Sequence, residues 1–273
     1  MHHVNAHGAA VPALGLGTFR LTGEVCRRMV AHALKVGYRH VDTAQMYGNE
    51  REVGEGIRAS GVPRDEIWIT TKIWPDDYRP DDFLRAAEES VERLGTEPDV
   101  LLMHWPGSPV PLRDTMGALN RAKRDGLTRH IGISNFSTAL IDEAWSLTEE
   151  PLAVLQVEYH CYLDQRAVLA AAGERGMAVT AYSPVAQGKV FREPVLQRIG
   201  GRHGKAPGQV ALRWLLQQDR VTAIPRSSRE ANVEANFAVF DFALSGEEMA
   251  EIASLGSSRG RLVSPAGLAP DWD

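Results

Sequence analysis

Short apolar runs alternate along the chain with longer stretches in which apolar residues recur every three or four positions. The short runs predict β-strands, and the periodic stretches predict amphipathic helices. Eight candidate strands follow from this pattern: residues 14–18, 39–42, 67–72, 100–104, 129–134, 153–158, 178–182 and 221–225. Strands that alternate with helices eight times are typical of parallel βαβ units. We therefore expect an α/β fold, a (β/α)8 TIM barrel, for which about 250 residues is a usual length.

The remaining segments complete this architecture. Weak alternation over residues 3–13, with Gly8 and Pro12, predicts a short N-terminal hairpin, and two additional helices are expected at residues 192–203 and 245–255. The spacing predicts three apolar helix faces, formed by Val25, Met29, Ala33 and Val36, by Phe83, Ala87, Val91 and Leu94, and by Leu140, Ala144 and Leu147. No low-complexity segment or linker interrupts the pattern, so we expect a single domain over residues 1–273.

Charge and cysteine content narrow the function classes. The net charge of −5 in a chain of 273 residues offers no general attraction to nucleic acid or anionic membranes. Two cysteines far apart, Cys26 and Cys161, indicate a reducing compartment, not a disulfide framework. The first residues lack the apolar segment of a secretory signal, and no apolar run reaches the ~18 residues of a membrane span. We expect a cytoplasmic protein with no nucleic-acid or membrane partner and no metal site.

Polar residues recur at the ends of the predicted strands. Thirty positions separate Asp42 from Lys72, and thirty-two separate Lys72 from His104, so each step is one βα unit. The three side chains should therefore meet at the carboxyl end of the barrel, where barrel active sites are built, together with Tyr47 from the loop after Asp42. A nearby ammonium should stabilise the phenolate and lower the usual tyrosine pKa of about 10, while the aspartate keeps the ammonium charged.

Each of these residues also has an ordinary structural interpretation. Lys72 can be a surface lysine, Asp42 a loop cap, His104 a satisfied core histidine and Tyr47 a packing aromatic. It is improbable that four unrelated structural reasons together place these residue types at the same end of the barrel. Proton chemistry at the barrel mouth is therefore the favoured interpretation.

The sequence resembles the aldo-keto reductase family over nearly its whole length. The motifs that carry the resemblance are Leu14-Gly15-Leu16-Gly17-Thr18-Phe19, Gly37-Tyr38-Arg39-His40-Val41-Asp42-Thr43-Ala44, Lys72-Ile73-Trp74, Leu102-Met103-His104-Trp105-Pro106, Gly132-Ile133-Ser134-Asn135-Phe136 and Ile224-Pro225-Arg226-Ser227. The first motif lacks the third glycine of a Gly-x-Gly-x-x-Gly fingerprint, which argues against a Rossmann nucleotide site.

The resemblance implies NADPH-dependent reduction of aldehyde and ketone carbonyls to alcohols by a tetrad of Asp42, Tyr47, Lys72 and His104. In that family Tyr47 would donate the proton, Lys72 held by Asp42 would stabilise the phenolate, and His104 would orient the carbonyl oxygen. The tail, residues 261–273, resembles that of a bacterial subgroup acting on 2,5-diketo-D-gluconate. Methylglyoxal and similar 2-oxoaldehydes remain open as substrates, and most relatives are monomers, so a monomer is expected.

The same resemblance assigns the cofactor contacts. Ser134, Asn135 and Gln156 would bind the carboxamide, and Tyr182 would stack on the nicotinamide. The whole implied set is Thr18, Phe19, Asp42, Ser134, Asn135, Gln156, Tyr182, Ser183, Val185, Gln187, Gly188, Arg226, Ser227, Ser228, Arg229, Asn232 and Asn236. Asn232 and Ala235 depart from the arginine and glutamate that many relatives carry, yet the cations and hydroxyls at residues 226–229 favour NADPH over NADH.

Aromatic and apolar residues beside the tetrad are expected to form the substrate pocket. These residues are Phe19, Met46, Tyr47, Trp74, His104 and Trp105. Two other functions remain open at this point. A Schiff-base aldolase could use Lys72, although such an amine must be neutral. A non-catalytic subunit could sense the cofactor by binding it, although a complete tetrad argues against that function.

Overall fold

The computed structural model describes residues 2–273, and its central feature is a sheet of eight parallel strands. The strands are β3 (Leu16–Gly17), β4 (His40–Asp42), β5 (Trp68–Ile73), β6 (Val100–Met103), β7 (His130–Ser134), β8 (Leu152–Glu158), β9 (Ala178–Tyr182) and β10 (Val221–Ala223). Each strand pairs with its sequence neighbour. The first and last strand regions also meet, since the Gly15 amide donates to the Ala223 carbonyl at 2.9 Å. The predicted (β/α)8 barrel is confirmed.

An antiparallel hairpin precedes the barrel, as the sequence predicted. It consists of β1 (His3–Ala6) and β2 (Ala9–Pro12). Its apolar residues, including Val4 and Val11, pack with Trp68 and Val100, which begin β5 and β6. The hairpin therefore closes the amino-terminal end of the barrel and leaves the carboxyl end open for a site.

Ten helices surround the sheet in the described part of the chain. They are α1 (Gly23–Val36), α2 (Glu50–Ser60), α3 (Pro80–Leu94), α4 (Leu112–Arg124), α5 (Thr138–Leu147), α6 (Arg166–Glu174), α7 (Pro194–His203), α8 (Pro207–Leu216), α9 (Glu230–Phe237) and α10 (Gly246–Ala253). The two additional helices, α7 and α10, lie where the sequence predicted them. None of the helices among residues 2–273 has the length and apolar character to cross a membrane.

The sequence-based prediction of the buried face of α1 is partly wrong. Val25 is 39% exposed, whereas Cys26, Met29, Val30 and Ala33 are fully buried. Spacings of three and four residues fit two adjacent stripes of one helix. The stripe that packs against the barrel is centred one position later than the sequence suggested.

Two glycines of the first motif are required by barrel closure. A Cβ atom on Gly17 would lie 2.7 Å from the carbonyl oxygen of Ile224, and one on Gly15 would lie 2.7 Å from the His40 ring. Both distances are shorter than any side chain tolerates. The two glycines therefore allow the first strand to lie close to its neighbours in the barrel. This structural role accounts for the motif without a Rossmann nucleotide site.

Candidate active site

A buried ion pair lies at the centre of the carboxyl end of the barrel. Asp42 is the last residue of β4, and Lys72 is the penultimate residue of the neighbouring β5. Lys72 Nζ donates to Asp42 Oδ1 and to the Thr43 carbonyl, both at 2.7 Å. Because parallel strands end at the same edge, two residues thirty positions apart in sequence are brought into contact.

Gln156 on β8 completes the surroundings of Asp42. Its Nε2 donates to Asp42 Oδ2 at 2.6 Å, across the barrel interior. The Thr18 hydroxyl donates to the main-chain carbonyl of Asp42 at 2.9 Å. The family resemblance assigned Gln156 to the cofactor, but the structure also gives it a role in fixing the Asp42 carboxylate. Its remaining amide oxygen stays available for a ligand.

Tyr47 stands beside this pair on a short 3-10 helix, Gln45–Tyr47. Gly48 ends that helix in the left-handed conformation, with φ 64°, which turns the chain into α2. Lys72 Nζ lies 5.1 Å from the centroid of the Tyr47 ring. The ring also contacts His104, at 5.7 Å between centroids, and Phe19, at 5.0 Å. The four predicted tetrad residues are therefore brought together.

The direction of the Tyr47 pKa shift differs from the sequence-based expectation. Burial raises the pKa of the Tyr47 phenol well above its ordinary value of 10, and the Asp42 and Tyr182 oxygens raise it further. Burial also lowers the pKa of Lys72, although Asp42 opposes that shift. The expected lowering of the phenol pKa is wrong, because desolvation of the phenolate outweighs the nearby ammonium. The phenol keeps its proton at neutral pH, so it can act as a proton donor.

His104 is a neutral imidazole in this environment. Burial lowers its pKa well below the ordinary 6.5, and the positive charge of Lys72 lowers it further. Its ring meets the edge of Trp74 at 5.1 Å between centroids. Its Nδ1 is buried and has no hydrogen-bond partner among residues 2–273. A neutral imidazole carries one N–H, which can donate to a carbonyl oxygen without placing a second full charge beside Lys72.

A hydrogen-bonded group next to His104 contains three of the predicted cofactor residues. Asn135 Nδ2 donates to the His104 carbonyl at 3.0 Å and to Ser134 Oγ at 3.1 Å. Asn135 Oδ1 accepts the Tyr182 hydroxyl at 2.8 Å. Asn135 has φ 66°, a conformation that non-glycine residues rarely adopt. The group fixes the Tyr182 ring at the mouth, and leaves the Ser134 hydroxyl able to donate.

The loop after β9 has an unusual backbone. Ser183, Ala186 and Gln187 have φ values of 51°, 47° and 52°, and Gly188 has φ 92°. Left-handed non-glycine residues cost about 1–3 kcal/mol each and cluster at ligand clamps. Val185 in the same loop is half-buried. The strain therefore includes Ser183, Gln187 and Gly188, which the family resemblance assigned to the cofactor.

A cationic segment follows β10 at the same end of the barrel. Arg226 donates from Nε and Nη2 to the carbonyls of Phe19 and Arg20, each at 3.2 Å. Ser227 Oγ accepts the Arg229 amide at 3.0 Å immediately before α9. Arg226, Ser228, Arg229 and Asn232 are exposed, Ser227 is buried and Asn236 is half-buried. Exposed guanidinium groups before a helix N-terminus are suited to a phosphate.

The predicted pocket residues divide into an exposed rim and a buried wall. Phe19 and Met46 are 44% and 43% exposed. Trp74 is half-buried, and Trp105 is buried, where it packs edge-on against Trp272 with 6.4 Å between centroids. The carboxyl-terminal tail therefore covers Trp105, and a substrate would meet the tail beside the tetrad.

The sequence-based interpretation missed the anchor of that tail. Glu158, the last residue of β8, is fully buried and accepts the amides of Leu262 and Val263 at 2.8 and 2.9 Å. The only sequence signal was an acidic residue two positions after Gln156 in an otherwise apolar strand. Within residues 2–273, histidine, cysteine and acidic side chains form no group of three that could hold a metal ion.

Comparisons with known proteins agree with this geometry. A model described as the aldo/keto reductase family matches residues 13–257. Methylglyoxal reductase DkgB of Escherichia coli O157:H7 is 42% identical over 268 residues, covering 97% of this chain and 100% of that protein. A crystal structure provisionally named 2,5-diketo-D-gluconic acid reductase B is 53% identical, with a TM-score of 0.98 and coverage of 100% and 98%. A Bombyx mori aldo-keto reductase in complex with NADP is 32% identical, with a TM-score of 0.86 and coverage of 94% and 93%.

Proposed function

This chain belongs to the aldo/keto reductase family, and we propose that it reduces small aldehydes and ketones to alcohols with NADPH as the electron donor. The observation that carries the proposal is the convergence of Asp42, Tyr47, Lys72 and His104 at the open end of the barrel. A protonated phenol, a buried ammonium and a neutral imidazole supply the three groups that carbonyl reduction requires.

The described residues fit a nicotinamide cofactor. Ser134, Gln156 and Tyr182 would hold the nicotinamide end, and the strained loop at residues 183–188 would lie over the pyrophosphate. Arg226, Ser227, Ser228 and Arg229 would take the 2′-phosphate, with Asn232 and Asn236 beside the adenosine. When bound, the cofactor supplies a hydride to the carbonyl carbon. The NADP-bound Bombyx mori relative supports NADP over NAD as the partner.

Protein side chains supply and control the proton that the carbonyl oxygen receives. Tyr47 donates its proton to the carbonyl oxygen as negative charge develops there, because its raised pKa keeps it protonated until that moment. Lys72, 5.1 Å from the ring, stabilises the phenolate that remains. Asp42 and Gln156 hold Lys72 in place, and His104 donates to the oxygen and sets its angle. Electrostatic groups fixed in advance cost no reorganisation during the reaction.

The names of similar proteins suggest two substrates of different size. Relatives are named methylglyoxal reductase and 2,5-diketo-D-gluconic acid reductase B. We propose that this chain accepts three-carbon 2-oxoaldehydes such as methylglyoxal and longer keto-sugar acids such as 2,5-diketo-D-gluconate. The exposed rim formed by Phe19 and Met46, together with Trp74, would contact either substrate. Trp105, which packs on Trp272, would contact the longer substrate.

The contacts of Lys72 argue against one competing function, and the complete tetrad argues against the other. The Lys72 side chain has 0% exposure, and its Nζ makes hydrogen bonds to Asp42 and Thr43. A carbonyl carbon cannot reach that nitrogen without dismantling the ion pair, which argues against a Schiff-base aldolase. A subunit that only senses the cofactor would have no need of the complete tetrad.

The state of Cys26 and Cys161 indicates the redox environment in which the protein works. Both thiols are buried and unpaired, and burial raises the pKa of each to about 12. Such thiols are unreactive and need no oxidising compartment. On this basis we propose a cytoplasmic enzyme. Because most members of the family are monomers, we also propose a monomer in which residues 1–273 form one catalytic domain.

The test of the proposed function is a steady-state assay with purified protein. NADPH consumption is followed with methylglyoxal, with 2,5-diketo-D-gluconate and with nitrobenzaldehyde, and the alcohol formed is quantified. We expect one alcohol per NADPH consumed. Binding of NADPH without consumption by any of the three carbonyls would identify a binding subunit and contradict the proposal.

A further inference from the structure

Glu158 is a fully buried carboxylate that the proton path does not use. It ends β8 two positions after Gln156, so both side chains point to the same side of the strand. Oε1 accepts the amide of Leu262 at 2.8 Å, and Oε2 accepts the amide of Val263 at 2.9 Å. One side chain of the barrel therefore binds two consecutive main-chain groups of the tail, about a hundred positions away.

The remaining partners of Glu158 fix its orientation. His160 Nδ1 accepts the Tyr162 amide at 3.3 Å, so Nε2 carries the proton and donates to Glu158 Oε1 at 3.0 Å. Arg261 Nη1 lies 4.0 Å from Glu158 Oε2. A buried carboxylate with this many donors is held in one geometry, and loss of its charge would weaken these hydrogen bonds and leave a donor without an acceptor.

Beyond Glu158 the tail crosses the open end of the barrel. The Gly107 amide, in the loop after β6, donates to the Leu268 carbonyl at 3.0 Å. At the chain end the Asp273 side-chain carboxylate accepts the amide of Thr138, the first residue of α5, at 3.1 Å. The tail therefore runs from β8 to the loops that follow β6 and β7.

Two stacked side chains connect Glu158 to the pocket wall. The Arg261 guanidinium carbon lies 3.4 Å from the centroid of the Trp272 ring. Trp272 packs against Trp105, which directly follows His104 in sequence. Trp272 Nε1 donates to Ser264 Oγ at 3.1 Å, which restricts the ring further. A displacement of the tail at Leu262 would therefore move the outer wall of the pocket.

We propose that Glu158 is a positioning residue that sets this outer wall and so determines how well the enzyme accepts long substrates. The inference rests on the proposed carbonyl reduction. A six-carbon keto-sugar acid extends from the tetrad to the wall that Arg261, Trp272 and Trp105 form. A three-carbon 2-oxoaldehyde is too short to contact it. Glu158 acts through the tail and touches neither reacting atom.

The variant that tests this role is Glu158→Gln. The amide keeps the size of the side chain but replaces one acceptor by an N–H group, which faces a tail amide. We expect hydrogen exchange at Leu262 and Val263 to accelerate by at least about tenfold. We expect kcat/KM for 2,5-diketo-D-gluconate to fall about tenfold relative to that for methylglyoxal, mainly through KM.

Asp99→Asn is the matched control. Asp99 is also buried, and it accepts from Arg64 at 2.8 Å, Arg129 at 3.0 Å and the Ile69 amide at 2.9 Å. It lies at the opposite end of the barrel, just before β6. This variant loses a buried charge of the same kind, so it should lower stability. It should change neither the substrate ratio nor exchange in the tail.

Combining Glu158→Gln with Trp272→Ala distinguishes an effect transmitted through the tail from a general loss of protein stability. If Glu158 acts through Trp272, the second substitution should add little to the shift in substrate ratio. An unchanged ratio despite faster exchange would overturn the specificity role, and unchanged exchange would overturn the anchoring. If the wild type reduces neither substrate, the proposed function fails, while accelerated exchange in Glu158→Gln still supports the anchoring.

Discussion

The Nζ atom of Lys72 lies 2.7 Å from Oδ1 of Asp42, and the two side chains are 0% and 2% exposed. An ion pair this deeply buried gives little net stability, because desolvation offsets the attraction between the charges. Its value is positional: it holds an ammonium beside the Tyr47 ring in a single geometry. The second Asp42 oxygen, bound by Gln156, prevents the carboxylate from rotating away.

Replacing Lys72 by methionine should abolish carbonyl reduction and also destabilise the protein. Asp42 would remain buried with its charge uncompensated, so the free energy of unfolding should fall by about 3–5 kcal/mol. Adding Asp42→Asn removes that charge and should restore part of the stability without restoring activity. Urea denaturation and steady-state turnover of the single and double variants provide both measurements.

Borohydride treatment of the wild type with a carbonyl substrate distinguishes the two roles of Lys72. The reductase account expects no substrate attached to Lys72, since its nitrogen is enclosed by Asp42 and Thr43. Peptide mapping that finds a reduced adduct on Lys72 would support the aldolase and contradict the proton path.

Cofactor preference should depend on the cationic segment before α9. Arg226→Ala and Arg229→Ala should each weaken NADPH binding roughly 10–100-fold, since a charge-assisted hydrogen bond contributes about 1.5–3 kcal/mol. NADH, which lacks the 2′-phosphate, should be affected little. Quenching of tryptophan fluorescence during titration with each cofactor gives the dissociation constants.

Arg124→Ala is the control for that titration. Arg124 pairs with Glu149 at the end of α4, away from the cationic segment, so its loss should leave both affinities unchanged. Equal binding of NADH and NADPH by the wild type would show that residues 226–229 do not recognise the phosphate. Equal losses of NADH and NADPH affinity in Arg226→Ala and Arg229→Ala would also show that these residues do not recognise the phosphate.

The depressed pKa of His104 predicts a pH dependence of stability. In the unfolded chain the imidazole takes up a proton below its ordinary pKa of 6.5, whereas the folded protein resists protonation at that position. Stability should therefore fall as pH decreases from about 6.5 toward the lower folded-state pKa. In His104→Asn the free energy of unfolding should decline less between about pH 7 and about pH 5. Identical slopes in denaturant titrations of variant and wild type would contradict the assignment.

The features that the sequence predicted are those set by the barrel repeat. Asp42, Lys72 and His104 could be grouped because one βα unit separates each from the next. The contact between Gln156 and Asp42 spans 114 positions, and that between Glu158 and Leu262 spans 104, so no local pattern indicates either. The direction of the Tyr47 pKa shift depends on two opposing effects: burial raises the pKa, and the nearby ammonium of Lys72 lowers it. Only the folded geometry determines which effect is larger.

The central claim is that Tyr47 supplies the proton, and Tyr47→Phe tests it most directly. Tyr159→Phe is the matched control, since Tyr159 donates to Gln218 at 2.7 Å and lies outside the tetrad. Turnover of methylglyoxal and NADPH affinity are measured for both variants. The account predicts that Tyr47→Phe loses about 10²–10⁴-fold in turnover with NADPH affinity close to wild type, while Tyr159→Phe retains turnover. A Tyr47→Phe enzyme that keeps more than about a tenth of wild-type turnover would show that the proton comes from another group.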